Sequence, residues 1–159
     1  MKINFFLFLL LASNAVSADL VNEILVDEFT DEETVALTFL ADDDHEIFRR
    51  WGQISCNQGT LILGIEDSEL YHGEDYVNAK FRFDKNTTFE RTLNFDVNSS
   101  VALTDSEEII FKFLDELRGS KNLIIKLQST DSSMKFSNFQ DSEKKVEQFL
   151  KTIINQTNC

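Results

Sequence analysis

The chain contains no proline in its 159 residues and has only five glycines, two histidines and two cysteines. Each shortage removes a class of explanation. Without proline there is no stiff linker, and no low-complexity stretch or internal repeat marks a boundary between domains. With so few glycines there is no glycine-rich phosphate loop, and no G-x-S-x-G nucleophile elbow occurs either. Two isolated histidines, His45 and His72, lack the H-E-x-x-H spacing of a zinc site and stand beside no recognisable nucleophile. Positive charge is scarce too. Fifteen Lys and Arg face 28 Asp and Glu, for a formal net charge of −13 at pH 7. A surface of that sign repels phosphate backbones and anionic headgroups, so no nucleic acid partner is expected.

What is present begins with an export signal. Met1 and Lys2 precede an apolar stretch over residues 3–12, followed by the small-residue exit Val16, Ser17, Ala18. This order predicts a secretory signal peptide over residues 1–18, too short in its apolar part to serve as a membrane span. Ser13, Asn14, Ala15 offers an earlier exit. Removal leaves residues 19–159 as a single soluble domain, periplasmic or secreted, with no stable membrane insertion. Cys56 and Cys159 would then meet an oxidising compartment. They allow one intramolecular pairing, and closing so long a loop restricts the unfolded chain by about 4 to 5 kcal/mol.

Hydrophobic periodicity divides the chain into strands and two helices. Residues 34–40 alternate Val35, Leu37 and Phe39 against Ala36, Thr38 and Leu40, as a strand does. Residues 53–56 and 60–65 form a hairpin around Asn57, Gln58 and Gly59. Val77, Ala79, Phe81 and Phe83 share one face of a strand over 77–83, and another strand follows over 89–97. Thr104 and Glu107 have the spacing of a capping box. They open a helix whose stripe is Ile109, Ile110, Phe113, Leu114 and Leu117 and which stops at Gly119. Strands over 122–128 and 134–139 precede a final helix over 141–155, with Val146, Phe149, Leu150, Ile153 and Ile154 at helical spacing. Segments 27–34 and 42–46 are acidic and read as solvated. The fold class is α+β: an antiparallel or mixed sheet with two packed helices and one disulfide. A Cys56–Cys159 bridge would pin the last helix to the sheet.

Chemistry is harder to find. The run Asp42, Asp43, Asp44, His45, Glu46 lacks the alternate spacing and glycine of a calcium loop, so no metal site or cofactor is assigned. Arg49, Arg50 and Trp51 are the candidate partner contacts, because Arg and Trp are enriched where interfaces gain their energy. Asn86, Asn98 and Asn155 each begin an N-x-S/T sequon, which matters only in a host that glycosylates.

Several of these segments together look like a family. A strand ending in Ile54, Ser55, Cys56; the strand Val77 to Asp84; the helix Ile110 to Leu117; the segment Phe136 to Phe139; the last helix closing on Cys159; and the early run Thr34 to Asp42 resemble small periplasmic proteins associated with type VI secretion, the VasI-like group. The resemblance implies an accessory role in secretion and brings no catalytic residues. The expected function is a non-enzymatic, exported protein-binding protein. The alternative is an envelope-polymer hydrolase using acids such as Asp42 and Asp44 with His45, and a small-ligand carrier would need an apolar cavity.

Overall fold

The computed structural model describes residues 20–27, 31–42, 50–57, 59–68, 75–84, 86, 88–96, 100–128 and 133–156. The expected signal peptide, His45, His72, Asn98, Arg49 and Cys159 all lie outside these residues.

Nine strands form among the described residues, most of them with alternating apolar and polar side chains. They are β1 (Leu20–Val26), β2 (Glu33–Leu40), β3 (Arg50–Asn57), β4 (Thr60–Asp67), β5 (Tyr76–Phe83), β6 (Phe89–Asp96), β7 (Val101–Thr104), β8 (Leu123–Leu127) and β9 (Met134–Phe136). Helix α1 (Glu107–Leu117) sits between β7 and β8, and α2 (Ser142–Gln156) follows β9. The strands form one sheet in the order β1-β2-β3-β4-β7-β6-β5-β8-β9, with every pairing antiparallel. The fold is therefore α+β, with the antiparallel alternative realised throughout.

Strand β5 shows the rule most plainly. Val77, Ala79, Phe81 and Phe83 are buried, whereas Tyr76, Asn78, Lys80 and Arg82 are exposed, a strict period of two. The buried row continues across the sheet as Phe39, Ile54, Leu63, Leu93, Ile125 and Leu127, and the helices cover this inner side. Helix α1 presents Ile110, Phe113, Leu114 and Leu117 to it, and α2 presents Val146, Phe149 and Ile153.

The sheet curls. Strands β3, β4, β7, β6, β5 and β8 separate β2 from β9 in the order, yet the rings of Phe39 on β2 and Phe136 on β9 pack edge to face with centroids 5.2 Å apart. Phe113 of α1 lies within the curl, touching Phe39 at 5.7 Å on one wall and Phe81 and Phe83 at 5.5 and 5.1 Å on the other. At the rim the Asp42 amide donates to the Lys135 carbonyl at 2.7 Å. The carboxylate of Asp42 accepts from the Ser137 amide at 2.9 Å and from the Ser137 hydroxyl. The end of β2 is thereby latched to the end of β9.

Several local expectations are corrected. Strands β1 and β7 lie where no strand was expected. Thr104 ends β7 rather than capping the helix: Ser106 is the N-cap and makes no side-chain cap bond, and the Thr104 hydroxyl instead accepts from the Ser106 amide at 3.1 Å. The strand stacking of β7 on β4 wins over the cap spacing, because Thr104 is already paired with Leu63. Ile154 leaves the stripe of α2 and is 73% exposed. Gly59 and Gly119, with φ of 80° and 77°, hold the left-handed turns expected of them.

Gly52 faces Phe39 directly across β2 and β3, and a Cβ placed there would overlap the Cε2 and Cζ atoms of the Phe39 ring. That ring has nowhere to go, held as it is by Phe113 and Phe136. Gly52→Ala is expected to destabilise the protein by about 1 to 3 kcal/mol through overpacking, read as a lowered urea midpoint at unchanged slope.

Candidate functional surface

The residues singled out from sequence separate on the sheet. Arg50 and Trp51 are consecutive on β3, so their side chains leave by opposite faces. Arg50 points inward and is only 5% exposed, and its Nε donates to Oδ1 of Asp67, its cross-strand partner on β4, at 3.3 Å. Both groups are almost wholly removed from water. Arg50 is therefore a component of the interior and not a partner contact, which corrects the sequence reading. Trp51 stays on the outer face, half-buried, between Leu40 of β2 and Glu66 of β4.

The outer face around Trp51 is a mixture of polar ladders and exposed apolar side chains. Gln53 donates to the Thr38 hydroxyl at 3.0 Å, and Thr38 in turn donates to Glu23 at 3.5 Å, so one ladder runs across β3, β2 and β1. A second runs through β6, β5 and the end of β8: the Thr92 hydroxyl donates to Asn78 at 2.7 Å, and Asn78 donates to Gln128 at 2.6 Å. Lys80 and Glu90 pair across β5 and β6 at 2.8 Å, but both are more than half exposed, so the pair adds little stability. Val21, Leu25, Leu40 and Tyr76 remain exposed on this side.

Of the acids considered for hydrolysis, only Asp42 lies within the described residues. Asp42 is occupied by its latch to Ser137, and Asp44 and His45 fall outside the described residues. Asp84, with φ of 45°, closes the turn that joins α1 to β8: its carboxylate accepts from the Lys121 and Asn122 amides and from the Asn122 side chain, at 2.9 to 3.2 Å. Sequence reasoning missed both roles. The available signal was an aspartate directly after a strand, where its short side chain can take up neighbouring backbone amides. Among the described residues no three His, Cys, Asp or Glu gather as a metal site. Of the sequons, Asn86 is exposed beside the β5–β6 turn with its amide donating to Glu116 at 3.1 Å, and Asn155 is exposed on the last turn of α2.

No described helix is long and apolar enough to cross a membrane. A surface concavity runs along the solvent side of α2, lined by Lys144, Glu147, Gln148 and Lys151. It is open, and polar side chains line it.

Arg50 and Trp51 are expected to behave oppositely on substitution. Arg50→Ala strips the guanidinium from a buried carboxylate and should cost on the order of 3 kcal/mol in chemical denaturation. Trp51→Ala should cost clearly less than a fully buried aromatic truncation, which runs to about 3 to 5 kcal/mol, and leave the far-ultraviolet circular dichroism unchanged.

Comparison of the chain with protein-family models, with curated proteins and with solved structures gave no match.

Proposed function

We propose that this chain is an exported, non-enzymatic accessory protein whose task is to hold another protein. The observation that carries the reading is the apolar surface left on a well-packed fold. On β1, Val21 and Leu25 of the outer face and Ile24 and Val26 of the inner face are all more than a third exposed, as is Leu40 on the outer face of β2, while the inner rows of β2 and β3 are closed over Leu37, Phe39 and Ile54. Grouped exposed apolar side chains mark contact surfaces. Ile24, Leu25 and Val26 form such a group at one end of β1, and Leu40 with the half-buried Trp51, a residue type that anchors interfaces, lies toward the other end. Export rests on the N-terminal signal sequence. A place beside type VI secretion rests on the resemblance of the strand and helix segments to the VasI-like group.

A disulfide between Cys56 and Cys159 belongs to the same reading. Cys56 is fully buried on the inner side of β3, opposite Val35 and Leu61, and α2 packs over that side of β1 and β2 before the chain reaches Cys159. A bridge there would tie the end of α2 to the sheet.

Two measurements test the proposal. Affinity capture of the mature protein from its native envelope fraction, under non-reducing conditions and read by mass spectrometry, should recover one stoichiometric protein; an empty capture would remove the protein-binding reading. Alkylation of the unfolded but unreduced protein should label neither cysteine. Cys56→Ser should lower stability by about 2 to 5 kcal/mol, and a freely labelled Cys56 would sink the bridge.

A further inference from the structure

The sheet has two edges, and the fold treats them differently. At the β9 edge only three residues are in strand, the Lys135 carbonyl is taken by the Asp42 amide, and Ser137 is taken by the Asp42 carboxylate. At the other edge lies β1, seven residues long and paired with β2 without interruption from Leu20↔Phe39 to Val26↔Glu33. Among the described residues, no backbone hydrogen bond reaches β1 from the side away from β2. Exposed edges are ordinarily blunted by lysine, proline, a bulge or shortness. Strand β1, LVNEILV, has no lysine or proline and its register shows no bulge; its one charge, Glu23, is engaged toward β2, where it accepts from Thr38.

The side chains at the open end match the open backbone. Leu25 is 42% exposed on the outer face, and Ile24 and Val26 are 51% and 54% exposed on the inner face, whereas nearer the start of the strand Leu20 is fully buried and the Asn22 amide donates to the Lys145 carbonyl of α2 at 2.9 Å. Both faces of one strand end are thus apolar and uncovered together, and a strand laid alongside would shield both. The β1–β2 connection is acidic. Asp27, Asp31, Glu32 and Glu33 are exposed at the β1–β2 connection, and Glu23 lies on β1 itself.

We infer that β1 is a docking edge for an extended segment of a protein partner, with alternating apolar residues and Lys or Arg at the end that lies beside the β1–β2 connection. This rests on the protein-binding reading and names the surface and the chemistry of the partner. An unpaired edge accepts only another strand, because its amides and carbonyls need partners at strand spacing. The acidic connection selects a basic end. A second copy of this chain is the poorer occupant, since each copy carries a net charge of −13 and brings its own acidic connection.

The test uses the purified protein and a labelled synthetic peptide, Lys-Lys-Val-Thr-Val-Thr-Val-Thr, with a Glu-Glu-Val-Thr-Val-Thr-Val-Thr control. The lysine peptide should bind by fluorescence anisotropy, slow the exchange of β1 amides in particular, and bind at least about tenfold more tightly than the glutamate peptide. Leu25→Lys and Ile24→Lys, both at exposed positions, should each weaken binding about tenfold or more while leaving the circular dichroism and urea midpoint in place. Absence of peptide binding, protection of amides elsewhere than β1, equal binding by the two peptides, or unchanged affinity in both variants would overturn the assignment. So would sedimentation showing that the protein dimerises through β1. The native capture separates the two readings: a partner recovered equally by wild type and Leu25→Lys overturns the β1 edge and leaves protein binding standing, whereas no partner for wild type overturns protein binding itself.

Discussion

The packing of Phe113 against Phe39 on one side and Phe81 and Phe83 on the other is the contact on which the rest of the molecule depends. A long antiparallel sheet left flat would expose one whole apolar face, and two helices cannot cover nine strands. Curling lets the sheet cover part of its own inner surface. The aromatic cluster fills the space that curling creates, with edge-to-face geometries that aromatic rings favour. Gly52 is part of the same solution, because the absence of a side chain lets the Phe39 ring lie against β3.

Polar groups are placed so as not to disturb that interior. The buried Arg50 and Asp67 are directly opposite one another on neighbouring strands, which lets each meet the other's charge without leaving its own backbone position. Burying such a pair is seldom a net gain in stability, but leaving either member alone is far worse, so the two constrain each other. On the outer face, polar side chains form ladders across strands, from Gln53 through Thr38 to Glu23 and from Thr92 through Asn78 to Gln128. The described acidic side chains are mostly at the surface, as Asp27, Asp31, Glu32 and Glu33 are beside the β1–β2 connection.

Much of this architecture was legible in the sequence wherever periodicity was long and clean. The alternation from Val77 to Phe83, the stripe from Ile110 to Leu117 and the glycine turns at Gly59 and Gly119 all say what they become. Short or half-exposed elements were not legible. Strand β7 has only four residues, and β1 has apolar side chains on both faces, so neither shows a period of two. Thr104 was misread because strand pairing and helix capping compete for the same residue, and pairing is a long-range matter. Arg50 was misread for a related reason. Read along the chain it belongs with Arg49 and Trp51, but the pleat separates it from Trp51 and turns it toward Asp67, a partner that only the β3–β4 register reveals.

The latch between Asp42 and Ser137 has a consequence for how the chain becomes a folded protein. It joins residues 95 positions apart, and the bond from Asn22 to Lys145 spans 123. Chains dominated by such distant pairings fold slowly, since loop-closure entropy must be met before the contacts that offset it can form. A chain emerging from its N-terminal end can pair β1 with β2 and β3 with β4 early, but it cannot seal the aromatic interior until β9 has also emerged. Until then the inner rows of β2 and β4 stand open to water and to neighbouring chains. The final stretch of sequence therefore sets the moment at which the nascent protein stops being vulnerable to aggregation.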